Sequence, residues 1–308
     1  MTTTVQPGTG APAESQKLRQ SKAGSGPGSA SWPVRIGLVF LCVAWMIPAL
    51  GMLVNSFRPR DDQFSSGWWT AFFNPFGSTW TLQNYQQVLT TDAAGIPMSQ
   101  AFINSFIVAL PATVIPILIA AFAAYAFTFM QWPGRDLMFV VVVGLLVVPN
   151  QVAFVPLVKL YGALGLNGTF FAVWLAHIGF GMPLAIYILR TYMSGLPNAV
   201  IESAKIDGAS HFTTFWRLIM PMSTPALASF AIFQFLWVWN DLLVALIFLG
   251  RGDNTVATVA LQGLQGQTGQ GKELIPAAGF ITIIVPILVF LALQRYFIRG
   301  MTSGAVKG

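Results

Sequence analysis

Leu196-Pro197-Asn198-Ala199-Val200-Ile201-Glu202-Ser203-Ala204-Lys205-Ile206-Asp207-Gly208-Ala209-Ser210 is the conspicuous polar insert between two late apolar runs, and its reading decides the fold. Pro197 suits the first turn of a helix, where its missing N–H costs nothing. Gly208 can take positive φ and stop that helix. Ser210 can then cap a second helix through Phe212, Phe215, Trp216 and Ile219 to Pro221. The spacing predicts a short helix held off the membrane by a turn. Its apolar face, Val200, Ile201 and Ala204, would form a knob suited to another protein's groove. The same residues also fit a helix lying flat on lipid.

The chain around this insert is too apolar for water. Of its 308 residues, 55% are hydrophobic and 8% charged, whereas soluble domains carry roughly 25% charged residues. The apolar residues cluster into runs long enough to cross a bilayer core of about 30 Å. The first run, 33–55, is too long for a cleaved signal and reads as a transmembrane helix. Further spans are expected at Ala101–Met130, Leu137–Leu160, Phe170–Leu189, Thr224–Leu249 and Pro276–Ile298, giving an all-α, polytopic protein of six spans. Ala120, Ala121, Ala123 and Ala124 allow close helix approach in the second. Residues 1–32 are polar and Gly/Pro-rich and read as a disordered tail. Residues 56–100, with Trp68, Trp69, Trp80 and Tyr85, read as an external loop with interfacial elements. Residues 101–300 form the core with five of the spans, 250–275 a flexible loop within it, and 301–308 a short tail. No internal repeat is visible.

Basic residues set the orientation. With the N-terminus inside, the inner segments collect Lys17, Arg19, Lys22, Arg35, Arg135, Arg190, Lys205, Arg217, Arg295, Arg299 and Lys307. The outer segments hold Arg58, Arg60, Lys159, Arg251 and Lys272. That excess follows the positive-inside rule and puts both termini in the cytoplasm. The net charge of +6 is spread singly at the ends of apolar runs, so the membrane, not nucleic acid, is the expected partner.

Glu202-Ser203-Ala204-Lys205-Ile206-Asp207-Gly208-Ala209, followed by Ile219-Met220-Pro221, resembles the EAA loop of ABC importer permeases. Ser203 and Met220 are mild departures from that pattern. The similarity covers 104–308 and includes Trp239-Asn240-Asp241 and the ending Gln294-Arg295-Tyr296-Phe297-Ile298-Arg299-Gly300 with Gly304-Ala305-Val306-Lys307-Gly308. These features resemble the second permease of maltose- and α-glucoside-type systems. The resemblance implies a subunit of a bacterial or archaeal plasma-membrane sugar importer. Its partners would be a homologous permease, two ATPase subunits and an external sugar-binding protein. ATP and Mg²⁺ would sit in the ATPase, with no cofactor in this chain. It also implies that Pro197, Ile201, Glu202, Ser203, Ala204, Asp207, Gly208, Ala209 and Pro221 form the element that docks on the motor.

Other candidates are weaker. Trp237, Asn240 and Asp241 fall at helical spacing on one face, and Asp241 is the acidic residue placed well inside a span, where a carboxylate is expensive. This face either lines a translocation path or clamps helices together. Gly266–Gly271 with Lys272 imitates part of a phosphate-binding loop, but Glu273 stands where Ser or Thr is needed and no strand precedes it. His177 and His211 each lack a second metal ligand or nucleophile nearby in sequence, so no metal or catalytic site is expected. Asn167-Gly168-Thr169 is a weak sequon, and Cys42 reads as a small buried apolar residue. Pro111, Pro116, Pro149, Pro156, Pro183 and Pro286 read as kinks that shape packing rather than as binding residues. Two alternatives stay open: an importer for another solute, such as glycerol phosphate, and a proton-coupled carrier using Asp241.

Overall fold

The computed structural model describes residues 31–90, 95–265 and 271–305, the last eleven positions, 295–305, by backbone alone. Most of the expected N-terminal tail, residues 91–94, residues 266–270 and the last three residues therefore lie outside the described residues. Every regular element among the described residues is helical. The chain divides into two units, one ending at Leu50 and the other starting at Gly51.

Helix α1 is Trp32–Ser56. Cys42 on it is exposed rather than buried, because apolar side chains on a membrane helix have lipid for solvent and need no protein cover. In the second unit, α2 (Arg60–Ser65), α3 (Trp68–Phe73) and α4 (Gln83–Thr90) precede the long α5 (Met98–Phe129). Arg58 holds this region together. It is buried and donates to the Asn55 side chain, the Asp62 and Ser66 carbonyls and the Ser66 hydroxyl.

Helix α8 (Phe170–Met193) packs along α5. Ala112, Ala120, Ala121 and Ala124 of α5 and Ala172 and Ala185 of α8 are wholly buried there, and their small side chains let the backbones approach. The expected single span 137–160 is instead α6 (Arg135–Gly144), a 3₁₀ turn, and α7 (Asn150–Ala163), bent by 98°. Pro149 causes the break: it excludes Val148 from the helical region, and Val148 sits at φ −78°, ψ 120°.

The 197–221 insert forms α9 (Asn198–Ile206) and α10 (His211–Met222), and α10 meets α11 (Thr224–Trp239) at 72°. The expected span 224–249 is not continuous either: α11 stops at Trp239 and α12 (Leu243–Phe248) follows. The expected flexible loop 250–275 contains α13 (Ala257–Gly263), buried beside α5. Asn104 donates to the Asp253 and Thr255 carbonyls, and the Ser105 hydroxyl accepts the Ala257 N–H. Helix α14 (Ile275–Ala305) ends the described chain and runs through the start of the expected tail. Among the described residues four helices are long and apolar enough to cross a membrane, or up to six if each bent pair is one span.

Prolines organise the core more than kinks alone would. A proline leaves the carbonyl four residues before it without a helical donor. Pro111 frees Ile107, and the Trp174 indole of α8 donates to that carbonyl at 2.9 Å. Pro116 frees Ala112, and Gln234 of α11 donates to it at 3.1 Å. Pro286 frees Thr282, and the Trp239 indole donates to it at 3.0 Å. Each cap joins two different helices, so satisfying the freed backbone also fixes the packing.

Candidate functional site

Helix α9 ends in a paired motif that its sequence explains. The Ala209 N–H reaches the Ala204 carbonyl at 2.9 Å and the Gly208 N–H reaches Lys205 at 3.1 Å. Gly208 takes φ +77° between them, the left-handed position such a helix end requires. Pro197 sits one place earlier than expected, as the cap rather than in the first turn. Ser210 caps α10 as expected, accepting the Thr213 N–H at 3.2 Å.

The apolar face of α9 is not an outward knob. Ile201 is buried in one cluster with Leu189, Met193, Phe215 and Ile219 of the same chain, and Ala204 is buried as well. Burying them internally removes apolar area from solvent before any partner arrives. The exposed face instead carries Glu202, Ser203, Lys205 and Asp207, with Ile206 86% exposed at its end. Pro221 is also exposed.

Helix α10 is tied firmly to the spans. The Phe215 ring stacks on Phe122 of α5 at 4.3 Å. The Tyr125 hydroxyl of α5 and His211 Nδ1 are hydrogen-bonded at 2.9 Å, and the Tyr192 hydroxyl of α8 donates to the Met222 carbonyl at 3.3 Å. Sequence reading missed the Tyr125–His211 contact because 86 residues separate the partners.

A cavity of 730 Å³ opens between the α6–α7 break, α8 and α11. Its wall is mainly apolar, with Asn150, Gly179, Phe180, Phe233 and Trp237 among its residues. Of the expected path residues, Trp237 lines it while Asn240 and Asp241 do not. The helix ends at Trp239, so the predicted common face is lost. Asn240 donates back to the Leu236 carbonyl. Asp241 lies in the gap between α11 and α12, where its carboxylate accepts the Ala245 N–H at 3.1 Å and its carbonyl accepts the Thr258 hydroxyl. It thus satisfies a free donor of the α12 first turn. His177 of α8 is fully buried, 3.9 Å from the Asp241 carboxylate and edge-on to Trp237.

The remaining candidates serve local structure. Thr169 of the sequon caps α8, accepting the Ala172 N–H, and Asn167 donates to the Val158 carbonyl. Glu273 pairs with Arg60 at 3.7 Å. Among the described residues no three His, Cys, Asp or Glu side chains converge as a metal site would need.

The model of the family described as "Binding-protein-dependent transport system inner membrane component" matches residues 29–303. The chain belongs to that family. This inner-membrane component is 52% identical over 277 residues to the osmoprotective compounds uptake permease of Synechocystis sp., covering 89% of this chain and 92% of that one. It is 41% identical to the α-glucoside transport system permease of Rhizobium meliloti, covering 90% and 97% of the two chains. Its fold matches that of a chain in the crystal structure of a bacterial ABC transporter involved in the import of the acidic polysaccharide alginate, with TM-score 0.67, 17% identity, and coverage of 94% and 100%. The membership removes the proton-coupled carrier reading, and Asp241 has a structural employment in its place.

Proposed function

We propose that this inner-membrane component is one of two permease subunits of an ATP-driven sugar importer, with both termini in the cytoplasm. The cargo is a neutral polyhydroxylated solute of the α-glucoside or trehalose type, delivered by an external binding protein. Two ATPase subunits hold the ATP and Mg²⁺. The observation that supports this reading is the α9 exposed face: Glu202, Ser203 and Ile206 project from a helix whose other side is anchored in the spans. A push on that face reaches α5 through Tyr125–His211 and Phe122–Phe215, and α8 through Ile201 and Met193. Motor closure would therefore move the helices as connected bodies between inward- and outward-open states. The cavity wall contains no Lys or Arg, which disfavours the glycerol phosphate reading, since a phosphate would lack a cation there.

The test is reconstitution of the four-component complex in proteoliposomes with ATP supplied to the motor. Uptake of maltose or trehalose that needs the binding protein and survives an uncoupler is expected. Uptake that collapses with the uncoupler at constant ATP, or saturable uptake of glycerol phosphate alone, overturns the proposal.

A further inference from the structure

Not every carbonyl freed by a proline is capped in this way. Pro183 in α8 frees the carbonyl of Gly179, and among the described residues no side chain donates to it. Pro156 similarly frees Val152, but that residue is not on the cavity wall, whereas Gly179 and Pro183 both are. Gly179 has no side chain, so what it contributes to the wall is backbone. An added Cβ at Gly179 would meet nothing within 4 Å, so the space before it is open.

An uncapped carbonyl at membrane depth is costly against lipid tails or apolar helix faces, which have no donor to offer. It is well used against a ligand that brings its own donor. Trp237, 38% exposed, and Asn150 line the same cavity. We infer that Gly179, Trp237 and Asn150 form a sugar subsite in this subunit: a ring hydroxyl donates to the Gly179 carbonyl, the ring's C–H face rests on the Trp237 indole, and the Asn150 amide meets a second hydroxyl. The volume, 730 Å³, lies in the range of small-molecule sites, about 300–1,000 Å³. The subsite rests on the sugar-importer reading above and gives Pro183 a binding role beyond a kink.

Pro183→Ala tests it directly, because alanine supplies the N–H that closes the helical bond onto Gly179 and withdraws the acceptor. Gly179→Ala is the second variant: it adds a methyl group at this wall residue without a clash. Both are assayed in the full complex for maltose and trehalose uptake, basal ATPase and retention of the partner permease on gel filtration. Pro111→Ala is the control, since it lets Ile107 dispense with Trp174, and none of these three residues lines the cavity. The expected result is a maximal uptake rate about tenfold lower for Pro183→Ala and Gly179→Ala, the worth of one hydrogen bond. Basal ATPase and assembly should stay intact, with Pro111→Ala transporting normally. Wild-type uptake by both variants overturns the subsite while leaving the importer reading standing. Loss of the partner permease from Pro183→Ala complexes overturns it in favour of a protein donor. No uptake of either sugar by the wild-type complex overturns the importer reading and the subsite together.

Discussion

The Gln234 side-chain amide donates to the Ala112 carbonyl at 3.1 Å, the acceptor that Pro116 leaves without a helical partner. Gln234 is buried, and the Cβ of any larger residue at Gly181 would come within 2.7 Å of its amide nitrogen. Proline, glutamine and glycine on three different helices thus depend on one another.

Gln234→Leu leaves the Ala112 carbonyl without a side-chain donor in an apolar core and should destabilise the protein by about 1–3 kcal/mol. Adding Pro116→Ala restores a backbone donor and should recover most of that loss. A double-mutant cycle on thermal unfolding in detergent checks the coupling; additive effects would mean the two positions do not share the carbonyl.

Gly208→Ala places a Cβ at φ +77°, at a cost of roughly 1–2 kcal/mol, and should distort the α9 end without preventing insertion. Glu202→Lys reverses the charge on the exposed α9 face and should abolish transport with no loss of membrane-inserted protein. Membrane fractionation and uptake, measured side by side, separate coupling from biogenesis. Normal uptake by both variants would remove the docking role of α9.

Tyr125→Phe deletes the hydroxyl that meets His211 at 2.9 Å while keeping the ring packing against Phe129 and Phe215. Transport per ATP hydrolysed should fall severalfold, with ATPase activity itself retained, because α10 loses a tether to α5. An unchanged ratio of solute moved to ATP consumed would show that aromatic packing alone carries the motion.

Asp241→Asn keeps an oxygen able to accept the Ala245 N–H, so transport should remain close to wild type. Asp241→Ala loses the cap and should cost about 1 kcal/mol of stability. Loss of uptake in the Asn variant at normal stability would instead assign the carboxylate a direct part in transport.

Much of this architecture is visible in the chain. Apolar length marks α1, α5, α8 and α14, and the Pro197, Gly208 and Ser210 signals locate α9 and the start of α10 to within a residue. Other features depend on partners far away in sequence. The continuous span expected at 224–249 fails because hydropathy cannot see that Asn240 and Asp241 end one helix and cap another. Ile201 and Ala204 read as a docking knob because an apolar stripe does not say what covers it. His177 reads as solitary, since Asp241 lies 64 positions later and only folding brings them to 3.9 Å. One further signal lies in the sequence itself: every proline inside an apolar helix marks the carbonyl four residues before it as needing a donor.

The polar insert from Leu196 to Pro221 was determined locally, since helix starts, stops and caps are set by residues within a turn of one another. Membrane crossing was likewise determined by composition, because lipid accepts backbone only when its polar groups are paired within the helix. The tertiary structure alone decided which face of α9 is exposed. It also decided which freed carbonyls are capped by Trp174, Gln234 and Trp239 and which one, Gly179, is left on the cavity wall. Those outcomes depend on side chains from other helices arriving at one point, and that meeting exists only once the helices have packed.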